Sequence, residues 1–277
     1  MRGRSTRAIA PIAVVLREES HVYRESRLKA KLRAGEPTLG CWLFMGSPVV
    51  SELLAHAGFD ALIVDHEHAP GSLETGIHQM RAIQTTPTTA LVRVADNQPM
   101  YFKQNLDAGA EGILVANVES GEAAAAAVAA CRYPPQGIRG HQTGASRASD
   151  WGFLPPADYY RTWEQNFLLA LLIESDKGVA AIPEMCALPE VDMLFIGPTD
   201  LSGSIGKARD FEAPEFKELM AEAERRILEG GKWLGAVTLP GDSPAAQFAR
   251  GYHFVTNAND VTLLRDGARG AVAAGAA

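Results

Sequence analysis

Residues 61–70, ALIVDHEHAP, decide how the chain is read. Ala61, Leu62, Ile63 and Val64 form an unbroken apolar run ending at Asp65, the pattern of a strand buried on both faces. Four ionisable residues, Asp65, His66, Glu67 and His68, stand where the run stops. In parallel α/β folds the loops leaving the C-terminal ends of strands build the active site, so His68 reads as a base and Asp65 as the carboxylate that orients it. A polar βα turn with a helix cap accounts for the same ten residues, and this stretch alone leaves both readings open.

The unit recurs on either side. Apolar runs at 38–44, 89–94, 112–116, 167–174, 193–197, 234–239 and 252–257 read as strands. Segments at 48–56, 73–84, 99–107, 121–131, 178–186, 214–229 and 243–249 carry helical patterning, several with a serine, proline or glycine as punctuation, and Asp260 caps a last helix. A short basic helix at 27–34, stopped by Gly35, precedes them. Residues 132–166, rich in proline and glycine, break the rhythm and read as a long irregular excursion. Eight strands alternating with helices predict one (β/α)8 barrel over residues 26–277. A doubly wound open sheet is the runner-up, weakened because no G-x-G-x-x-G follows the first strand.

Composition narrows the function classes. The 277 residues are 47% hydrophobic and 21% charged, enough apolar material for a large core. A formal charge of −7 without a basic cluster argues against a nucleic-acid or anionic-membrane surface. Cys41, Cys131 and Cys186 show no paired spacing, so reduced thiols and a cytoplasmic setting are expected. Residues 1–25 contain Arg2, Arg4 and Arg7 before an apolar run, Ile9 to Leu16, that Pro11 interrupts and no small-residue cleavage pattern follows. They read as a loose, disordered extension upstream of the domain rather than a signal peptide. No other segment approaches the roughly 20 apolar residues of a membrane span.

On a barrel, the polar residues at strand ends face one mouth. Glu174 and Asp200, from consecutive strands, suit a hard divalent cation that keeps open positions, although each alone is equally a helix cap or an ion-pair partner. Arg93, inside an apolar strand, needs anionic company: Asp65, Glu67 or a substrate oxyanion. Gly197, Pro198 and Thr199 open a tight loop before Asp200 whose backbone N–H groups suit a carboxylate, and Ser202 reads as the cap of the next segment. None of the seven lysines falls in a strand, which disfavours an imine mechanism. Trp42 reads as a pocket wall or a core residue. His141 reads as an exposed loop residue or a contact to a substrate tail, His66 stays ambiguous, and His56 and His78 read as solvated.

G-C-W-L at 40–43, D-x-E-H-A-P at 65–70, V-R-V at 92–94, D-A-G-A at 107–110, R-Y-P-P-x-G-x-R-G at 132–140, I-E at 173–174 and F-I-G-P-x-D-L-S at 195–202 resemble, in order, the HpcH/HpaI class II pyruvate aldolases. The resemblance implies a metal-dependent barrel, assembled as a hexamer (a trimer of dimers), that reversibly cleaves 4-hydroxy-2-oxo acids to pyruvate and an aldehyde. It implies Glu174 and Asp200 as ligands of Mg²⁺, Mn²⁺ or Co²⁺, with Glu67 reaching the metal through water. His68 with Asp65 is implied as the base dyad and Arg93 as the residue that stabilises the enolate. Trp42 and the Gly197, Pro198, Thr199 and Asp200 segment are implied as substrate-binding.

The chain departs from the pattern at Leu172, where relatives carry glutamine, at His141 and Gln142, and at Asn257, and these positions bear on aldehyde preference. Oxaloacetate decarboxylation or macrophomate synthase-like chemistry on the same site is the main rival. A coenzyme A ester lyase lacks a basic nucleotide-binding rim here, and a non-catalytic barrel that binds keto acids is the alternative from another class.

Overall fold

A computed structural model describes residues 24–275; the expected extension at residues 1–25 lies outside them except for Arg24 and Glu25. Eight parallel strands close into a barrel in sequence order, β1 pairing with both β2 and β8. The strands are β1 Thr38–Leu43, β2 Ala61–Asp65, β3 Thr89–Val94, β4 Gly112–Val115, β5 Leu168–Ile173, β6 Met193–Ile196, β7 Trp233–Val237 and β8 Phe254–Asn259. The helices are α1 Arg27–Arg33, α2 Pro48–His56, α3 Leu73–Ile83, α4 Pro99–Asp107, α5 Gly121–Cys131, α6 Pro156–Asn166, α7 Asp176–Cys186, α8 Pro198–Ser204, α9 Pro214–Glu229, α10 Pro244–Ala249 and α11 Asp260–Gly275.

The sequence supplies the same device at most strand-to-helix turns. Ser47, Ser72, Ser120, Ser175 and Ser243 each stand in extended backbone just before a helix, and each hydroxyl accepts a first-turn N–H. Such a cap contributes about 1 kcal/mol and fixes where each helix begins. Proline inside the first turn of α2, α4, α8, α9 and α10 adds a preset φ at no hydrogen-bond cost.

Strand parity divides the core into two layers. One set of strand residues, among them Leu62, Val64, Val92, Ile113, Leu169 and Leu171, packs outward against the helices. The alternate set, Ala61, Ile63, Leu91, Leu114, Leu168, Ala170, Met193, Phe195 and Phe254, fills the barrel interior. A Cβ at Gly40 or Gly235 would collide with the rings of Phe254 and Phe195, so these positions are left without side chains to admit them. Helix α1 closes the N-terminal end of the barrel. Its Leu28 and Leu32 join the interior cluster, and the buried Lys29 ammonium pairs with Asp192 at 2.9 Å.

Three features differ from the sequence expectations. The excursion at 132–166 contains a 3-10 turn at Arg147–Gly152 and all of α6, because Tyr159 and Trp163, one turn apart, find a buried seat. The supposed loop at Pro198–Asp200 is the first turn of α8. In β8 the pairing to β1 jumps from Thr256 to Ala258, a bulge that skips Asn257 and leaves it exposed. Helix α11 then leaves the barrel with Asp260 its only buried residue, exposing Val261, Leu263, Leu264 and Val272.

Candidate active site

Inward parity, continued to the C-terminal ends of the strands, carries the polar residues into one place. Asp65 follows Ala61 and Ile63 on the inner face of β2, and Arg93 follows Leu91 on β3. The two are direct register partners, which is why they meet. Arg93 Nε and Nη2 donate to the two Asp65 carboxylate oxygens at 2.7 Å each, and Nη1 lies 2.9 Å from Glu67 Oε2. The guanidinium also stacks over the Trp42 ring, 4.6 Å from its centre. Trp42 is held in turn by its indole N–H, which donates to Thr256 Oγ1 at 3.0 Å. The anionic company that Arg93 requires is therefore built in, and the charge is buried only because it is fully partnered.

Asp65 has no capacity left for a second task. Its oxygens accept, besides Arg93, the backbone N–H groups of Glu67 at 3.0 Å and His68 at 3.1 Å. Burial alone would raise its carboxyl, but Arg93 and these donors outweigh burial and hold it below the usual carboxylate range. This corrects the dyad expected from the sequence: Asp65 holds the His68 backbone rather than its imidazole. The His68 ring is mostly exposed, with Nε2 3.9 Å from Glu67 Oε2. His66 turns the other way, its ring against Gly76 and its Nε2 buried without a partner among the described residues.

Across the barrel, Glu174 continues the inner face of β5 after Leu172. Its Oε1 accepts the N–H of Asn117 at 2.8 Å, and Asn117 adopts φ +46 to present that donor. Burial pushes the Glu174 carboxyl up to about 7; the Asn117 N–H opposes this, while the negative charges of Glu67 and Asp200 add to it. Asp200 sits in the first turn of α8, exposed to the same space. Between these walls lies a cavity of about 440 Å³ at the C-terminal end of the barrel. Trp42, His68 and Arg93 line one side, and Glu174 with Gly197, Pro198, Thr199 and Asp200 another. Leu172 and Phe195 make its floor apolar.

The raised Glu174 carboxyl makes stability depend on pH. Its proton affinity is higher in the folded chain, about 7, than the ordinary value of 4.5, so its contribution to stability is full below pH 4.5 and is lost as pH rises through 7. Such a shift is worth about 3 kcal/mol. Denaturation of chelator-treated protein across this range should show wild type losing stability relative to Glu174→Gln as pH rises. Parallel curves would contradict the assignment.

A family model described as HpcH/HpaI aldolase/citrate lyase matches residues 38–267. The chain belongs to that family. It is 37% identical over 241 residues to the hydroxypyruvate/pyruvate aldolase of Delftia acidovorans, covering 87% of this chain and 88% of the relative. To the 4-hydroxy-2-oxo-heptane-1,7-dioate aldolase of Escherichia coli it is 38% identical over 240 residues, covering 87% and 91%. A solved HpcH/HpaI family structure from Burkholderia cenocepacia superposes with a TM-score of 0.84 at 35% identity, covering 91% of this chain and all of that one. The protein is thus an enzyme of the pyruvate aldolase/lyase type.

Several residues of this HpcH/HpaI cavity escaped the sequence reading. Phe44, stacked on Trp42 with ring centres 5.8 Å apart, could have been found by parity from Trp42. Asn259 lines the cavity in place of the expected Asn257, a shift that only the bulge explains. Arg209, which lines the cavity, and Asn117, which holds Glu174 from outside the lining, lie in loops and give no periodic signal. His141 and Gln142 are absent from the cavity lining: His141 bonds the Tyr160 hydroxyl at 2.7 Å and stacks on Tyr133, a separate aromatic cluster.

Proposed function

We propose that the chain is a divalent-metal-dependent aldolase that reversibly cleaves 4-hydroxy-2-oxo acids to pyruvate and an aldehyde. The observation that carries this reading is the convergence of Glu174 and Asp200 with Arg93 and His68 on one cavity at the C-terminal mouth of the barrel, where burial first, and the negative charges of Glu67 and Asp200 after it, push the Glu174 carboxyl up to about 7. A buried carboxyl facing a second carboxylate across a cavity suits a cation, and an all-oxygen donor set suits Mg²⁺, Mn²⁺ or Co²⁺. Glu174 and Asp200 would hold it, with Glu67 next to them. Among the described residues no three His, Cys, Asp or Glu side chains form a ready-made cage, and two carboxylates leave positions for substrate oxygens. When bound, such an ion supplies Lewis-acid polarisation of the 2-oxo acid.

The chain's own residues supply the rest. Arg93, immobilised by Asp65 and Glu67, directs fixed positive charge at the oxygen on which the enolate charge develops. The Thr199 and Asp200 backbone offers the orphan N–H groups of a helix start to the substrate carboxylate, the Gly197 N–H being spent on the Ile173 carbonyl. His68, exposed at the mouth, accepts the C4 hydroxyl proton as the C3–C4 bond breaks. Trp42, Phe44 and Leu172 present apolar walls that limit water around the reacting carbons. The test is pyruvate release from a 4-hydroxy-2-oxo acid: chelator should stop it and added Mn²⁺ should restore it, whereas release indifferent to chelator would remove the metal from the account.

Assembly with further copies is part of the proposal. Helix α11 leaves Leu263 and Leu264 exposed beside Met45 and Leu53, around a cavity lined almost wholly by apolar side chains. An apolar face of this kind marks an interface. Light scattering should give a multiple of the 29.7 kDa chain mass; a monomer at micromolar concentration would contradict assembly. A cytoplasmic setting accords with three unpaired cysteines, and no described helix is long and apolar enough to cross a membrane.

A further inference from the structure

Arg209 is the feature of the cavity that the proposed mechanism leaves unused. It lies in the segment between α8 and α9 and lines the cavity together with Arg93, Glu174 and Asp200. Its φ is +61, a conformation that costs a non-glycine residue about 1–2 kcal/mol. The surroundings enforce it. The Arg209 N–H donates to Ser202 Oγ at 2.9 Å, and the fully buried Ser202 hydroxyl donates to the Thr199 carbonyl at 2.6 Å. Lys207 N–H donates to the Ser202 carbonyl at 2.8 Å, closing the turn on the same helix that carries Asp200. Arg209 is therefore anchored to the wall that bears Asp200 rather than to a free loop.

Its charge is also uncommitted. Among the described residues the Arg209 guanidinium makes no ion pair and no hydrogen bond. Neighbouring Lys207 is paired with Glu215 at 3.1 Å, and Arg93 is occupied by Asp65 and Glu67. Arg209 thus brings an unneutralised fork of donors to a cavity whose other charged lining residues are Arg93, Glu174 and Asp200, in a chain of net charge −7. The carboxylate and carbonyl of a 2-oxo acid belong beside Arg93 and Asp200, where the bond is cleaved. A second anion, at the far end of the aldehyde half, is what Arg209 is left to receive.

We infer that Arg209 is a specificity-determining residue of this cavity, pairing its guanidinium with a carboxylate carried at the far end of the aldehyde half. The inference rests on the aldolase reading and deepens it. Arginine suits the task because its planar fork meets a carboxylate in two hydrogen bonds at once.

The test runs the reaction in the synthetic direction, with the full chain, pyruvate and Mn²⁺. The acceptors are succinic semialdehyde, which carries the distal carboxylate, and butanal, which has the same number of carbons and no charge. In wild type the ratio of kcat/KM for the two should favour the anionic acceptor. Arg209→Gln should lower that ratio by about tenfold or more, mostly through the acceptor KM, the loss of one charge-assisted contact. Arg209→Lys should restore part of it. A ratio unmoved in Arg209→Gln, or an equal loss with both acceptors, overturns the inference. Deuterium uptake into pyruvate alone separates the two levels: uptake with an unmoved ratio removes Arg209 only, and no uptake in wild type removes the aldolase reading and the inference with it.

Discussion

Arg93→Lys should lower kcat by about a hundredfold to a thousandfold, because lysine replaces an oriented fork with a single point charge. In the wild type three guanidinium nitrogens are engaged: Nε and Nη2 by Asp65 at 2.7 Å and Nη1 by Glu67 at 2.9 Å. The plane is fixed further by Trp42 beneath it. An ammonium satisfies one of these acceptors well and leaves the fully buried Asp65 side chain short of a partner. Breaking a buried pair costs about 3–5 kcal/mol when one partner is removed outright, and the retained charge of lysine keeps the loss at the lower end. A fall in melting temperature of about 5–10 °C should therefore accompany the kinetic loss. Steady-state kinetics and a thermal melt on the same preparation check both; wild-type kcat in this variant would show that the fork has no part in the reaction.

Asp200→Ala should have the opposite balance, with activity lost and the fold retained. Asp200 is exposed in the first turn of α8, so its removal costs stability little more than the helix-end charge effect, about 0.3–1 kcal/mol. Activity should fall by about a thousandfold, because half of the proposed cation site is gone. Removing a negative charge beside Glu174 also lowers the proton affinity of that carboxyl, which now stands at about 7 partly because of Asp200. Calorimetric titration with Mn²⁺ should show binding weakened by at least about tenfold, as loss of one charged ligand contact implies. Full turnover together with unchanged Mn²⁺ binding would remove Asp200 from the metal site.

The contrast between these two variants reflects what a sequence carries and what it does not. Strand parity is a local property: the apolar runs at 61–65 and 168–173 carry it in one dimension, and it places Asp65, Arg93 and Glu174 on the inner face at the mouth. Pairing is not local. That Asp65 spends itself on Arg93 rather than on the His68 ring depends on the register of β2 against β3, which no single strand encodes. The bulge that exchanges Asn257 for Asn259 is likewise a relation between β8 and β1. Helix α6 is hidden in the sequence because Pro155 and Pro156 resemble loop punctuation, while its buried seat comes from residues such as Tyr133, distant in the sequence. Arg209 is invisible for a related reason, since its significance lies in the turn that Ser202 imposes on it.

The central claim is that this site removes a proton from pyruvate with a divalent cation present. The measurement that tests it most directly is solvent deuterium exchange into the pyruvate methyl group, followed by NMR, with and without chelator and with Mn²⁺ restored. It needs no assumption about the aldehyde. Exchange that stops on chelation, returns with Mn²⁺ and is abolished in Asp200→Ala is the result the account predicts. Absence of exchange with every divalent ion, in protein shown to be folded, would contradict it and leave decarboxylation of oxaloacetate as the reaction to examine on the same residues.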